Sequence, residues 1–394
     1  MSEEPRWTRR RWAVLASLFV ARFATSSPRI IVGLLLIEIA ASFGSSVGVM
    51  GQIITVSSLV GMTAAFLMGA ASMRFPHKTL LVLGLVFMTL SAVGCFLAPN
   101  YLLMLLFFAV AGLGGAIALP MTSTLVATHF AIEQRSHAMG WLVAGGALAV
   151  ALGAPVVAWI GDWRGAFLGY VLPFSLLGFV LALTGVPSAP PQAVTKTKQY
   201  HESFHAILRN PSAVACLMGS ALASASFQAV LLYASAFFRQ RFDISTEVAS
   251  LLVFGGAMCV TMGGIVSGRL VNRVGRKRLT VAVGGLLGVF IAAYTTMPDL
   301  WFATAARFVA SWLAGMTFSA SASLSLEQLP PFRGTMMSLN TAMQSVGNAL
   351  GAGLGGLALL IYDYEAVGIS LGALAVIGTI LFHLLAVDPI ASKA

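Results

Sequence analysis

Thr79-Leu-Leu-Val-Leu-Gly-Leu-Val-Phe-Met-Thr-Leu-Ser-Ala-Val-Gly-Cys-Phe-Leu-Ala98 carries no charge between Lys78 and the turn signal Pro99-Asn100. A helix of about 20 residues rises about 30 Å, the thickness of bilayer hydrocarbon. The run is continuous rather than alternating. It therefore reads as a membrane helix that satisfies its own backbone hydrogen bonds, not as a barrel strand.

Comparable stretches lie on either side, at 12–40, 47–71, 102–127, 136–160 and 165–186, then 213–238, 246–270, 279–298, 301–327, 334–361 and 366–387. With 79–98 they predict an all-α integral membrane protein of twelve transmembrane helices. Of the 394 residues, 58% are hydrophobic and 9% charged, against about a quarter charged in soluble domains. So few charges cannot cover a water-facing surface of this size. Arg9, Arg10 and Arg11 precede the first span as in a signal peptide, but Arg22 interrupts any short apolar core, so the span reads as retained. Cys95, Cys216 and Cys259 sit in apolar spans without ligand spacing and read as packing residues.

With both termini placed in the cytoplasm, the Lys and Arg residues fall on the inner side except Arg164, Arg239 and Arg241 outside and Arg22, Arg29 and Arg307 within spans. That asymmetry follows the positive-inside rule. The net charge of +10 has the same origin and points to anionic lipid headgroups rather than nucleic acid.

The longest polar segment, 187–211, holds Pro187, Pro190, Pro191, Lys196, Lys198 and His201 and divides the spans six and six. It reads as a cytoplasmic linker between an N-terminal bundle, 1–186, and a C-terminal bundle, 212–394. The halves repeat: Gly69, Arg74 and Lys78 recur as Gly268, Arg273 and Lys277, and Arg135 and Gly153 as Arg333 and Gly351, at an offset of about 200 residues that argues for a duplicated six-helix unit.

Gly268-Arg-Leu-Val-Asn-Arg-Val-Gly-Arg-Lys-Arg278 resembles the signature loop of the major facilitator superfamily, Gly-x3-Asp-Arg-x-Gly-Arg-Lys/Arg. Gly268, Arg273, Gly275, Arg276 and Lys277 match, and Asn272 stands where the family has Asp. The first-half copy, Gly69 to Lys78, keeps Arg74 but has Met73 for Asp and Pro76 for Gly. Gly161-Asp-Trp-Arg-Gly-Ala-Phe167 is similar to the family's opening of helix 6. Gly153-Ala-Pro155 is similar to the Gly-Pro motif of its drug and proton exporters, with Ala154 in place of the second Gly, whereas the helix 4 Arg of those exporters is absent at Phe107 and Phe108. The resemblance implies two pseudo-symmetric six-helix bundles, rocker-switch alternating access, and helices 1, 4, 7 and 10 lining a central cavity. It also implies conformational roles for Arg74, Lys78, Gly153, Pro155, Gly268, Arg273, Gly275, Arg276 and Lys277, and a multi-pass place in the cytoplasmic membrane of a prokaryote.

Ionisable groups inside a membrane are costly, so each is a candidate. Arg22 lies about 15 Å along the first span. Ser26 and Arg29 follow at one helical face, and Arg307 sits early in span 10. No Asp or Glu is deep in a span. Cations without anions favour a substrate that brings negative charge, and a guanidinium offers a fork to carboxylate or phosphate. Gln228 and Tyr233 in span 7 and Asn340 and Gln344 in span 11 are uncharged candidates for the same substrate. His129 and His383 are the titratable groups nearest neutrality for proton coupling.

The expected function is thus secondary transport of a small or amphipathic organic anion, with a proton or a counter-transported anion as co-substrate. No cofactor, no metal and no nucleic acid is expected, and the chain is expected to be a monomer in the lipid bilayer. Export of hydrophobic neutral or cationic compounds, of the multidrug or sugar-efflux type, is the alternative. His201-Glu-Ser-Phe-His205 matches the zinc-protease pattern His-Glu-x-x-His, but it lies in a short linker with no third ligand. A membrane metalloprotease and a non-transporting sensor are the remote readings. The run Gly347-x3-Gly351-x-Gly353-x-Gly355-Gly356 lies in an apolar span and reads as close helix packing, not as a phosphate loop.

Overall fold

A computed structural model describes residues 9–130, 132–187 and 204–388. In chain order the helices are α1 (Arg9–Leu34), α2 (Leu36–Ser42), α3 (Val47–Arg74), α4 (His77–Leu97), α5 (Tyr101–His129), α6 (Ile132–Ile160) and α7 (Trp163–Gly185), the last with a π turn at Phe167–Val171. After a short helix at 204–209 come α8 (Pro211–Phe242), α9 (Thr246–Val274), α10 (Arg276–Thr296), α11 (Leu300–Gln328), α12 (Arg333–Ile361) and α13 (Tyr364–Leu385).

Polar residues between the apolar runs start the helices. The side chains of Asn100, Asp162, Asn210, Ser245, Asp299 and Asp363 each accept a hydrogen bond from a backbone N–H in the first turn that follows. Such caps satisfy donors that have no partner within the helix. Three of the thirteen acidic residues, Asp162, Asp299 and Asp363, serve in this way.

Eleven helices among the described residues are long and apolar enough to cross a membrane. The twelfth span is α11, 29 residues long. Thr304, Ser311, Thr317, Ser321 and Arg307 dilute its hydropathy, and all five are buried against other helices.

Two further differences from the sequence reading concern the first and seventh spans. The stretch 12–40 is not one helix: it breaks at Leu35, between α1 and α2. At the break, the Leu34 carbonyl accepts from Ser235 Oγ at 3.1 Å and from Arg239 Nη1 at 3.5 Å. The seventh span runs on to Phe242, so Arg239 and Arg241 are helical rather than in a loop.

Contacts divide the chain into two compact units, the described parts of Met1–Ile31 with Val60–Ala193, and of Val32–Leu59 with Val194–Ala394. In the first, α4 packs along α5, with Gly84 against Ala118 and Gly114, over a core of Leu18, Leu81, Leu85 and Leu125. Ser17 Oγ ties α1 to α7 through the Leu181 carbonyl at 2.9 Å. In the second unit, α8 is the central helix. Gly347 and Gly351 of α12 lie so close to the carbonyls of Ala221 and Ala225 that any Cβ would collide with them, and the glycine run is thereby a helix-packing surface.

Three helix ends of the second unit are joined by a closed ring. Ser212 Oγ donates to Gln328 Oε1 at 2.6 Å, Gln328 Nε2 to the Val387 carbonyl at 2.9 Å, and the Val387 N–H to Ser212 Oγ at 2.8 Å. The next residue, Asp388, accepts at Oδ2 from the N–H groups of Arg276 at 3.1 Å and Lys277 at 3.5 Å.

Candidate functional site

In the first unit, α1 carries Arg22, Ser26 and Arg29. Arg22 is half-buried against α6: a Cβ on Gly146 would stand 3.3 Å from Arg22 Nε and 3.4 Å from Ser26 Oγ. Gly146 therefore leaves the room that this pair of polar side chains occupies. Ser26 Oγ donates to the Arg22 carbonyl at 3.2 Å, while Arg29 is exposed and repels Arg22. The ion pairs among the described residues are Arg239 with Glu38 and Arg241 with Glu365, so neither Arg22 nor Arg29 is neutralised by a described carboxylate. What remains is a pair of cations in an apolar helix, with donors free to meet an anion.

Arg307 belongs to α11. It lies within the second unit, 1% exposed, with Nη1 donating to the Leu252 carbonyl at 2.8 Å and with Phe238 beside it. The uncharged candidates are also in this unit. Tyr233 is buried, its hydroxyl donating to the Ala352 carbonyl at 2.8 Å and its ring filling the space left by Gly51 and Gly355. Asn340 is 2% exposed with Oδ1 unpartnered, and Gln228 and Gln344 are half-buried. Neighbouring Ser224 donates to Asn348 Oδ1 at 2.7 Å.

The residues assigned conformational roles divide by environment. Gly275 has φ +91°, a left-handed value that glycine alone adopts without strain, and it turns the chain from α9 into α10. Arg276 Nε donates to Ser323 Oγ at 2.9 Å. The N-terminus of α10, without a side-chain cap of its own, receives the Asp388 carboxylate. A carboxylate thus reaches the signature loop from beyond α13, although Asn272 replaces the family's Asp. Gly268 stands in open space and Arg273 is exposed. In the first half, Lys78 Nζ donates to the Leu183 carbonyl at 2.7 Å, and the side chain of Arg74 lies outside the described residues. Gly153 admits Tyr170: its Cβ would stand 2.6 Å from a hydroxyl that donates to the Ala149 carbonyl, also at 2.6 Å, while Pro155 is exposed. Arg164, in the helix 6 opening, lies over the Trp163 ring at 4.7 Å and donates to the Ala98 carbonyl.

Sequence reasoning missed a clasp inside the second unit. Arg239 Nη1 donates to Glu38 Oε2 at 3.0 Å and Nη2 to Glu38 Oε1 at 2.5 Å, a fork-on-fork pair. Gly48 of α3 faces the Gly356 carbonyl and Leu359 of α12 on the same unit, and Gln52 Nε2 reaches the Gly353 carbonyl at 3.5 Å. The one signal in the sequence was an acid at the end of the first span and two arginines at the end of the seventh. His205 and Phe204 of the His-Glu-x-x-His stretch are described, whereas His201, Glu202 and Ser203 lie outside the described residues.

Comparison with known proteins agrees with this architecture. A solved D-xylose–proton symporter superposes with a TM-score of 0.78 at 16% identity, covering 96% of this chain and 98% of that one. An uncharacterized MFS-type transporter, YwfA, of Bacillus subtilis (strain 168) is 22% identical over 93% of this chain and 90% of its own length. A probable sugar efflux transporter of Helicobacter acinonychis (strain Sheeba) is 25% identical over 63% of each chain. The sequence model of the Major Facilitator Superfamily matches residues 14–300 and 261–394, and with twelve spans and the glycine-and-arginine loop before α10, the chain belongs to that superfamily.

Proposed function

We propose that this multi-pass membrane transporter moves a small or amphipathic organic anion by rocker-switch alternating access, with Arg22 as the anchor for the negative charge. The observation that carries the reading is a half-buried guanidinium on α1, given space by Gly146 and left without a carboxylate among the described residues. Arginine keeps its charge in any environment a protein offers. In a low-dielectric setting such a cation favours the passenger that completes it, and Ser26 one turn on adds a hydroxyl. Arg29, accessible on the same face, is placed to attract the anion before it reaches Arg22.

Membership of a transporter family sets aside the protease reading of the linker. The anion's charge is balanced either by a proton carried with it or by an anion exchanged for it. The test is a thermal-unfolding screen of the purified protein against carboxylates, phosphates, sugars and cationic dyes, since a ligand of the folded state raises its melting temperature. An organic anion should stabilise the protein, and Arg22→Gln should weaken its binding by roughly 10- to 100-fold, the loss expected for a charge-assisted hydrogen-bond pair. Unchanged anion binding by Arg22→Gln overturns the proposal. Stabilisation by sugars or cationic dyes alone would favour instead the efflux reading that the Helicobacter relative supports by its name.

A further inference from the structure

Among the described residues Arg307 is the one buried basic side chain, and it is poorly satisfied. Nη1 has the Leu252 carbonyl, but Nε and Nη2 have no hydrogen-bond partner. Phe238 contributes a ring whose centroid is 5.9 Å from Cζ. Tyr294 and Cys259 are the ionisable neighbours, and no described carboxylate pairs with Arg307. Gly256 leaves the guanidinium its place, since a Cβ there would come within 3.0 Å of Nη1. Beside it is a narrow void lined by Ala234, Ser235, Phe238, Ala249, Leu252 and Val253, without room for a water molecule. A permanent cation held dry with two idle donors is a costly arrangement, and an anion at those donors would relieve it.

The wall of this void is also the seat of the clasp. Ser235 lines the void and donates to the Leu34 carbonyl, and Arg239, which follows the lining residue Phe238, grips Glu38. The residues that line the void and those that hold Leu34 and Glu38 thus share the 234–239 stretch of α8. We propose that Arg307 binds a small monovalent inorganic anion of the halide class, taken up when the Glu38–Arg239 clasp opens and separate from the organic anion assigned to Arg22. One guanidinium supplies a single charge and two donors in an apolar, aromatic-edged space, which suits a compact singly charged ion. A divalent oxyanion would keep most of its acceptors unmet there.

The test is thermal unfolding of the purified full chain in potassium gluconate, titrated with potassium chloride or bromide. The wild-type protein should show a saturable rise in melting temperature. Glu38→Gln, in which the site is open more often, should reach half-saturation at a concentration lower by roughly 5-fold or more. Arg307→Met should fold, because an apolar chain of similar length replaces an unsatisfied buried charge, and should lose the response. If that variant does not fold, Arg307→Lys is read instead: lacking the planar fork, it should need a several-fold higher halide concentration. A halide response that survives unchanged in Arg307→Met or Arg307→Lys overturns the proposal, as does its absence from both wild type and Glu38→Gln. Arg22→Gln should keep the halide response while losing that to organic anions, so the two assignments fail separately.

Discussion

His129 closes α5 just beyond the apolar stretch Tyr101–Val126, half-buried, with its Nε2 unpartnered. Loss of solvent lowers its pKa from the ordinary 6.5, the Arg10 charge lowers it further, and a hydrogen bond with the Pro187 backbone partly offsets both. The fold therefore holds a neutral imidazole. Above pH 6.5 the folded and unfolded chains are alike in this group. Below it, the unfolded chain takes up a proton that the folded one refuses, so stability falls with pH until the folded-state pKa is passed. Melting temperatures between about pH 8 and about pH 5 should show this acid-side loss, and His129→Gln should flatten it. An identical pH profile in that variant would remove His129 from the account. At this scale the sequence was informative about depth and uninformative about company. Counting along the span places Arg22 and Arg307 inside the membrane, but only the fold separates one beside an accommodating glycine from one sealed behind Phe238 and Leu252.

Among the elements, the segment after the α1–α2 break and the extended end of α8 meet at the Glu38–Arg239 clasp. A charge that ends an apolar run looks like a loop residue until its partner is known, and here the partner is 201 residues away. No local pattern announces such a pair. Its opening is measurable. Leu359 faces Gly48 on the same unit, so in a protein lacking Cys95, Cys216 and Cys259 a Leu359→Cys thiol reports whether that packing is shut. A charge-assisted pair is worth about 1.5–3 kcal/mol, and Glu38→Gln should raise the labelling rate of this thiol by roughly 10-fold or more. Labelling no faster than in the parent would show that the clasp does not hold the packing closed. Helix starts, by contrast, were readable in advance, because Asn, Asp and Ser before an apolar run cap it by a purely local bond.

For the molecule as a whole, eleven of the spans announce themselves by hydropathy, since lipid contact imposes the same requirement on every helix that meets it. α11 is the exception for a physical reason: Thr304, Arg307, Ser311, Thr317 and Ser321 lie on its buried face, while Trp301, Phe302, Val309 and Trp312 are exposed, so its polar groups need not satisfy lipid. Orientation rests on charge asymmetry alone, with Arg164, Arg239 and Arg241 as the cations assigned outside. A reporter fused at either terminus should therefore behave as cytoplasmic, and a periplasmic signal from one end would reverse that assignment.

The Ser212–Gln328–Val387 ring and the Asp388 cap on α10 draw their last members from just past α13. During translation, all of α8 through α12 is synthesised before those members are added. Helices already made must hold the amides of Arg276 and Lys277 unmet until then, so the second bundle is fastened only once Val387 and Asp388 are in place.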